Sequence, residues 1–364
     1  MPRPPRARGA PAGDVRTVAQ AYLRYAQTDA ARTSPLHEHV ALALARHDEA
    51  LRALGAAPAR SRRPAAVLAA LHDLALAGRA PELSRAYAAG DGEASAAAAI
   101  VTLLRMPDAV AAIATRHRLR TDETGRGAVL YPAIAEAARQ AGAGAVGLID
   151  VGCSAGLNLT VDRVGISYGD GVFLGDRSSA VQLAPTVVGG RPVPHRCVPE
   201  VVARIGVDPD PLDLTDADDA RWLRACLPPD QPARSAALDA EISLAAAAPV
   251  VLLRGDPVDL VPDAVAQVAG GALPVVITTW ALSRWPVHRR RRLLQRLEEA
   301  AVERPVAWVS VEGVAVAPTI PTLGDRPASG HSIIGLLQLG GGAARPAALG
   351  RCWSRGRLLS WFAD

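Results

Sequence analysis

The sequence predicts an α/β protein: an open, mostly parallel sheet, preceded by an all-helical N-terminal domain and interrupted after its first strand by a β-containing insert. Three observations predict it. Residues 14–120 carry apolar side chains at three- and four-residue spacing with few strand signals. From Leu148 onward short β-branched runs alternate with helical stretches, as in a parallel sheet covered on both faces. The run Leu148-Ile149-Asp150-Val151 is followed at once by Gly152-Cys153-Ser154-Ala155-Gly156, small residues at the edge where open sheets bind ligands.

Taken in order, residues 1–13 are basic and Pro-rich without an apolar core, which predicts a disordered tail, not a signal peptide. Val15, Val18, Ala19, Tyr22 and Leu23 form one apolar helical face. Ser34-Pro35-Leu36 is a helix start, with Ser at the N-cap and Pro at the first helical position. Further helices are predicted over 64–77, 80–89 and 94–105. After the turn-like segment 120–125 comes a helix over 126–141, opening a second domain, 121–364. Its strands are predicted at 148–151, 250–253, 275–279 and 306–311, and its helices at 154–161, 263–267 and 289–303. The insert, about 163–249, is rich in Gly, Pro and Asp; residues 181–183 and 186–193 suggest a hairpin around Gly189-Gly190. Thr215-Asp216-Ala217-Asp218 opens a helix through Trp222 and Leu223.

Composition narrows the function classes. All 40 basic side chains are Arg, and the net charge is only +4 over 364 residues, so nucleic-acid binding is not implied. The run at 289–292 reads as the charged face of an amphipathic helix. Cys153, Cys197, Cys226 and Cys352 are widely spaced, which predicts a reduced, cytoplasmic protein without a structural metal. The six Asp residues between 208 and 219 read as a solvated helix start. The longest apolar stretch, 96–104, falls short of the ~20 residues of a membrane span.

Gly142-Ala143-Gly144-Ala145-Val146-Gly147 matches a dinucleotide fingerprint but precedes the strand, where it cannot bring a helix N-terminus to phosphates. Gly152 to Gly156 also matches the nucleophile elbow of serine hydrolases. Asp256 or Asp259 would then be the triad acid, and His288 or His331 the base. Against it, such an elbow follows several strands, and here mostly helical residues come first. The remaining reading makes 148–151 the first strand of a cofactor-binding sheet, with small residues allowing close backbone approach.

On Asp150-Val151-Gly152-Cys153-Ser154-Ala155-Gly156 the chain resembles the Rossmann-like fold of class I S-adenosylmethionine-dependent methyltransferases. Ser34-Pro35-Leu36, Thr121-Asp122-Glu123 with Arg126, Gly152 to Leu159 with Asp162-Arg163, Gly255-Asp256 and Ser310-Val311-Glu312 are similar to the patterns of the domain of unknown function 2332 family, over nearly the whole chain after the tail. Asp122 and Val311 stand where those patterns carry Asn. The resemblance implies methyl transfer from S-adenosylmethionine to a small-molecule or macromolecular acceptor. It implies cofactor contacts at Asp150, Gly152, Cys153, Ser154, Gly156, Asp170 and Asp256, with Asp170 or Asp176 as the ribose acid. Arg126, Asn158 and Trp280 would bind substrate, and Glu123 or Glu312 would act as base. The alternatives are a non-catalytic ligand-binding protein on the same fold and a hydrolase using Ser154; a small-molecule partner is expected, and neither nucleic acid nor membrane.

Overall fold

The computed structural model describes residues 12–116, 118–120, 124–169, 171–189 and 191–363. The chain begins with α1 (Ala12–Tyr25), a π-helical turn (Ala26–Ala30), α2 (Ala31–Thr33), α3 (Pro35–Arg46) and α4 (Asp48–Ala56). Next come α5 (Pro64–Leu76), α6 (Pro81–Ala89), α7 (Gly92–Arg105), α8 (Pro107–Arg116) and α9 (Gly127–Ala141). The strands β1 (Ala145–Val151), β2 (Gly165–Gly169), β3 (Val172–Gly175), β4 (Gln182–Leu183), β5 (Thr186–Val187) and β6 (Glu200–Asp208) follow. The remainder is α10 (Ala217–Ala225), α11 (Pro232–Ala246), β7 (Val251–Arg254), α12 (Pro257–Ala266), β8 (Leu273–Thr279), α13 (Val287–Ala300), β9 (Val306–Gly313), β10 (Ser332–Leu339), β11 (Arg345–Trp353) and β12 (Leu358–Trp361). Two compact units result: Met1–Thr121 with Asp216–Ala236, and Asp122–Thr215 with Ala237–Asp364.

The first unit is helical. Ser34 caps α3 as its sequence predicts, accepting the His37 N–H at 3.0 Å. Its hydroxyl donates to Asp230 Oδ1 at 2.7 Å, and Asp230 Oδ2 takes the Leu36 N–H at 3.1 Å. His72 Nδ1 lies 3.0 Å from the Leu227 carbonyl, and Arg221 pairs with Asp73 at 3.0 Å. These bonds explain why 216–236 belongs with the early helices. Asp216 caps α10 by accepting the Asp218 and Asp219 N–H groups, a backbone use for a carboxylate in the acid-rich stretch. Among the described residues no single helix is long and apolar enough to cross a membrane; α7 and α8 pass only together, bent by 96°.

The second unit is built on a nine-stranded mixed sheet, in the order β5-β12-β11-β10-β9-β8-β1-β6-β7. The five strands β7-β6-β1-β8-β9 are parallel; β10 and β11 run as an antiparallel extension from β9. β1, β8 and β9 read from sequence as near-continuous apolar runs because both their faces are covered. Val146, Leu148, Val275, Ile277 and Val309 pack on one face with α9, whereas Ile149, Val276 and Trp308 pack on the other with α12 and α13.

Three local expectations change. Residues 157–163 form a 3₁₀ helix instead of an α-helix over 154–161, because Ser154 (φ +55°) and Gly156 (φ +72°) take left-handed conformations that no α-helix tolerates. The hairpin around Gly189-Gly190 does not form: β4 pairs with β2 in a separate three-stranded sheet, and β5 pairs with β12 (Gly190 lies outside the described residues). Most consequentially, the strand next to β1 on one side is β6, inside the insert, and 251–254 is the edge strand beyond it.

β6 is tied to the segment after the glycine loop by a near-buried ion pair. Arg204 donates to both oxygens of Asp162, at 2.6 and 2.7 Å, and also to the Leu159 carbonyl. Removing the carboxylate strands a buried cation, so Asp162→Ala is expected to lower unfolding stability by about 3 kcal/mol. Urea denaturation measures it.

Candidate functional site

β1 delivers its loop to the carboxyl edge of the sheet, at the point where the next strands go to opposite sides, β6 and then β8. The loop is docked on β6. The Gly152 and Cys153 N–H groups donate to the Val207 carbonyl at 2.8 and 3.4 Å, and the Ser154 N–H donates to Asp208 Oδ2 at 3.2 Å. The Leu212 N–H returns to the Ser154 carbonyl at 2.9 Å. Small size matters at two points: Gly152 has φ +75° and its absent Cβ would lie 3.1 Å from that of Ala281, while a Cβ on Gly206 would lie 2.7 Å from the Cys153 sulfur. Cys153 is thus a buried packing group against β6. The N–H groups of residues 152–154 face β6, correcting the expectation that they point at a ligand.

Asp208 is the last residue of β6, the strand beside β1. Asp170 lies outside the described residues, between β2 and β3, and Asp176 is exposed in a turn whose Ser178 donates to it. The signal for Asp208 was the alternation Val201, Ala203, Ile205, Val207 leading to an acid, obscured by Arg204 and Gly206 between them. Asp208 Oδ1 takes the Asp210 N–H at 2.8 Å.

On the α9 face of the sheet the structure brings five predicted or neighbouring side chains together. Asn158 donates to Asp150 Oδ2 at 3.0 Å and to Thr279 Oγ1 at 3.1 Å. Arg126 Nη1 donates to the same hydroxyl at 2.9 Å, and its guanidinium lies 5.3 Å from the Trp280 ring centroid. The turn before Arg126 is held by Glu241, which accepts the Gly125 N–H at 2.8 Å. Thr279 was missed from sequence, where it reads as one more β-branched residue of a strand.

Glu312 is separated from this group. In β9 it follows the parity of Trp308, which faces α12 and α13, and there its Oε1 accepts the Ala281 and Leu282 N–H groups at 3.0 and 3.1 Å. Those bonds fix the backbone just after Trp280, whose φ of +51° is a strained, left-handed conformation for a bulky residue. Trp280 is further anchored by its N–H to the Val311 carbonyl and by Nε1 to Ser332 Oγ at 2.8 Å. Glu312 is a positioning residue, and Oε2 is buried without a hydrogen-bond partner. Burial pushes its carboxyl up to about 7, against the opposing pull of the backbone N–H groups.

Glu123 lies outside the described residues. Asp256 caps α12 through the Val258 N–H and pairs with Arg289 at 2.6 Å, beyond the β6 strand from the Asn158 group. His331, a candidate base, is bonded to Asp325 at 2.8 Å, which Arg351 also grips through two nitrogens. A cavity of about 280 Å³ adjoins the glycine loop, lined by Ala155, Leu212, Asp213, Thr215, Val250 and Leu252. A larger one, about 420 Å³, lies at the opposite, amino-terminal edge near Ala143, Gly271 and Arg304, away from the strand ends that carry the polar groups.

The chain belongs to the family described as "Uncharacterized protein conserved in bacteria (DUF2332)", whose profile matches residues 19–361. Comparison with curated proteins and with solved structures gave no match.

The Glu312 environment makes a pH prediction. Its folded carboxyl titrates near 7 and an unfolded Glu near 4.5, so the folded state holds the extra proton between those values. That contribution to stability is full below about pH 4.5 and is lost as pH rises through about 7. Glu312→Gln, which keeps the Oε1 acceptor, is expected to flatten this component. The melting temperature of the wild type should therefore fall relative to Glu312→Gln as pH is raised across that window, as differential scanning fluorimetry reads.

Proposed function

We propose that the α/β unit binds S-adenosylmethionine at the loop after β1 and acts as a Rossmann-like methyltransferase toward a small-molecule or macromolecular acceptor. The observation that carries this reading is the parallel order β7-β6-β1-β8-β9, with a glycine loop leaving the central strand at the topological switch and an acid, Asp208, ending the neighbouring strand. This order of parallel strands supports a likeness to class I methyltransferases.

The residues present fit such a cofactor. Asp208, whose oxygens accept the Ser154 and Asp210 N–H groups, ends the strand beside β1, where the ribose of such a cofactor would lie. The apolar part of the 280 Å³ cavity, formed by Ala155, Leu212, Val250 and Leu252, suits an adenine ring. The cofactor supplies an activated methyl group, so the chain's contribution is positioning. Asn158 and Thr279 hold Asp150 and Arg126 in one network, and Glu312 holds the Trp280 segment from the other face. With Glu312 committed to the backbone, the geometry favours an acceptor that needs no strong base. The same observation also favours the second reading, a ligand-binding protein that carries out no transfer.

Calorimetric titration with S-adenosylmethionine and S-adenosylhomocysteine tests the reading; saturable heat is expected, and neither heat nor thermal shift at millimolar ligand would sink it. Ser154→Gly relieves a left-handed serine and is expected to raise stability by about 1 kcal/mol while leaving cofactor binding intact. Covalent labelling of Ser154 by a fluorophosphonate would favour hydrolysis instead.

A further inference from the structure

Arg126 reaches the carboxyl edge of the sheet with its charge uncompensated: among the described residues no carboxylate pairs with it. Nη1 donates to Thr279 Oγ1 at 2.9 Å. Nε is buried and has no hydrogen-bond partner. The edge of the guanidinium formed by Nε and Nη2, which makes the parallel two-bond fork with a carboxylate, therefore carries no hydrogen bond among the described residues. A buried N–H without a partner is costly, and on a guanidinium the cost is higher still. Several devices nevertheless hold it in place. Trp280 lies 5.3 Å beneath it, Thr279 pins one end, and Glu241 fixes the preceding turn. Trp280 itself is kept in a left-handed conformation by bonds from Val311, Ser332 and, through the next two residues, Glu312.

We propose that Arg126 and Trp280 form a carboxylate-binding subsite, in which a ligand carboxylate takes the Nε–Nη2 edge while Trp280 backs the guanidinium. A singly charged carboxylate fits better than phosphate. The planar Nε–Nη2 fork meets the two oxygens of a carboxylate in one plane. The carboxylate has two possible carriers, the amino-acid end of S-adenosylmethionine and an acid-bearing acceptor. Only that choice of carrier rests on the methyltransferase reading; the subsite does not.

Two arms test it. In the first, wild type, Trp280→Phe, Arg126→Gln and Arg126→Lys are titrated with sodium benzoate and, separately, inorganic phosphate, reading tryptophan fluorescence. A saturable benzoate response is expected in the wild type, lost in Trp280→Phe and Arg126→Gln and weakened in Arg126→Lys, which keeps the charge without the fork. The lysine variant decides the matter should Arg126→Gln fail to fold, as a thermal melt would reveal. A wild-type response surviving in Arg126→Gln, or one to phosphate and not benzoate, overturns the proposal. In the second arm, S-adenosylhomocysteine and 5′-methylthioadenosine, which lacks the amino-acid end, are compared by calorimetry. Loss of about tenfold or more in affinity for the first alone on Arg126→Gln assigns the carboxylate to the cofactor. Unchanged affinity for both, with the benzoate response lost, assigns it to the acceptor. If neither nucleoside binds the wild type, the methyltransferase reading fails, while the benzoate arm still decides the subsite.

Discussion

The loop after β1 must cross the end of β6 within hydrogen-bonding distance, and most of the carboxyl edge follows from that constraint. Three consecutive N–H groups, from Gly152 to Ser154, are satisfied by the last two residues of β6. The crossing works only because Gly206 leaves room for the Cys153 sulfur and Gly152 leaves room for Ala281. Once the loop is docked, the following 3₁₀ segment is aimed back over the sheet, where Asn158 meets Asp150 and Thr279, and Asp162 meets Arg204. One backbone contact thus sets the positions of five polar side chains drawn from four elements.

Two faces of the same sheet divide the work. The α9 face gathers groups with hydrogen-bonding capacity toward the strand ends, including Arg126, with which no carboxylate among the described residues pairs. The α12 and α13 face supplies support: Trp308 donates to Thr278 at 3.1 Å, and Glu312 pins the backbone after β8. Alternation along β8 and β9 is what separates them, so neighbours in sequence such as Thr278 and Thr279 serve different purposes. The φ of +51° at Trp280 is sustained by this support from behind.

Sequence periodicity was sufficient for the strands whose two faces are both apolar. β1, β8 and β9 were found within a few residues of their ends, and so were the helices α5, α6, α7 and α9. β6 was not, because Arg204 and Gly206 interrupt its apolar pattern. Both make sense only once Asp162 and Cys153, distant in sequence, are brought against them. Asp208 was lost with the strand that carries it. Of the residues expected at a site, Asp150, Asn158, Arg126 and Trp280 do come together, whereas Glu312 turns to the other face, a distinction of strand parity that a motif cannot express. Conversely, the Ser-Pro-Leu segment, legible as a helix cap, has a partner in Asp230 nearly 200 residues later.

That last bond has a consequence for how the protein is made. The helical unit is assembled from two stretches of chain, and Asp230 and Leu227, which bond Ser34 and His72, leave the ribosome after β1, the glycine loop and β6. The first hundred residues thus wait, with part of their hydrogen bonding unmade, while the chain of the neighbouring sheet begins to appear. Vectorial synthesis therefore interleaves the two units in time, and neither half of the chain, expressed alone, contains a complete version of either.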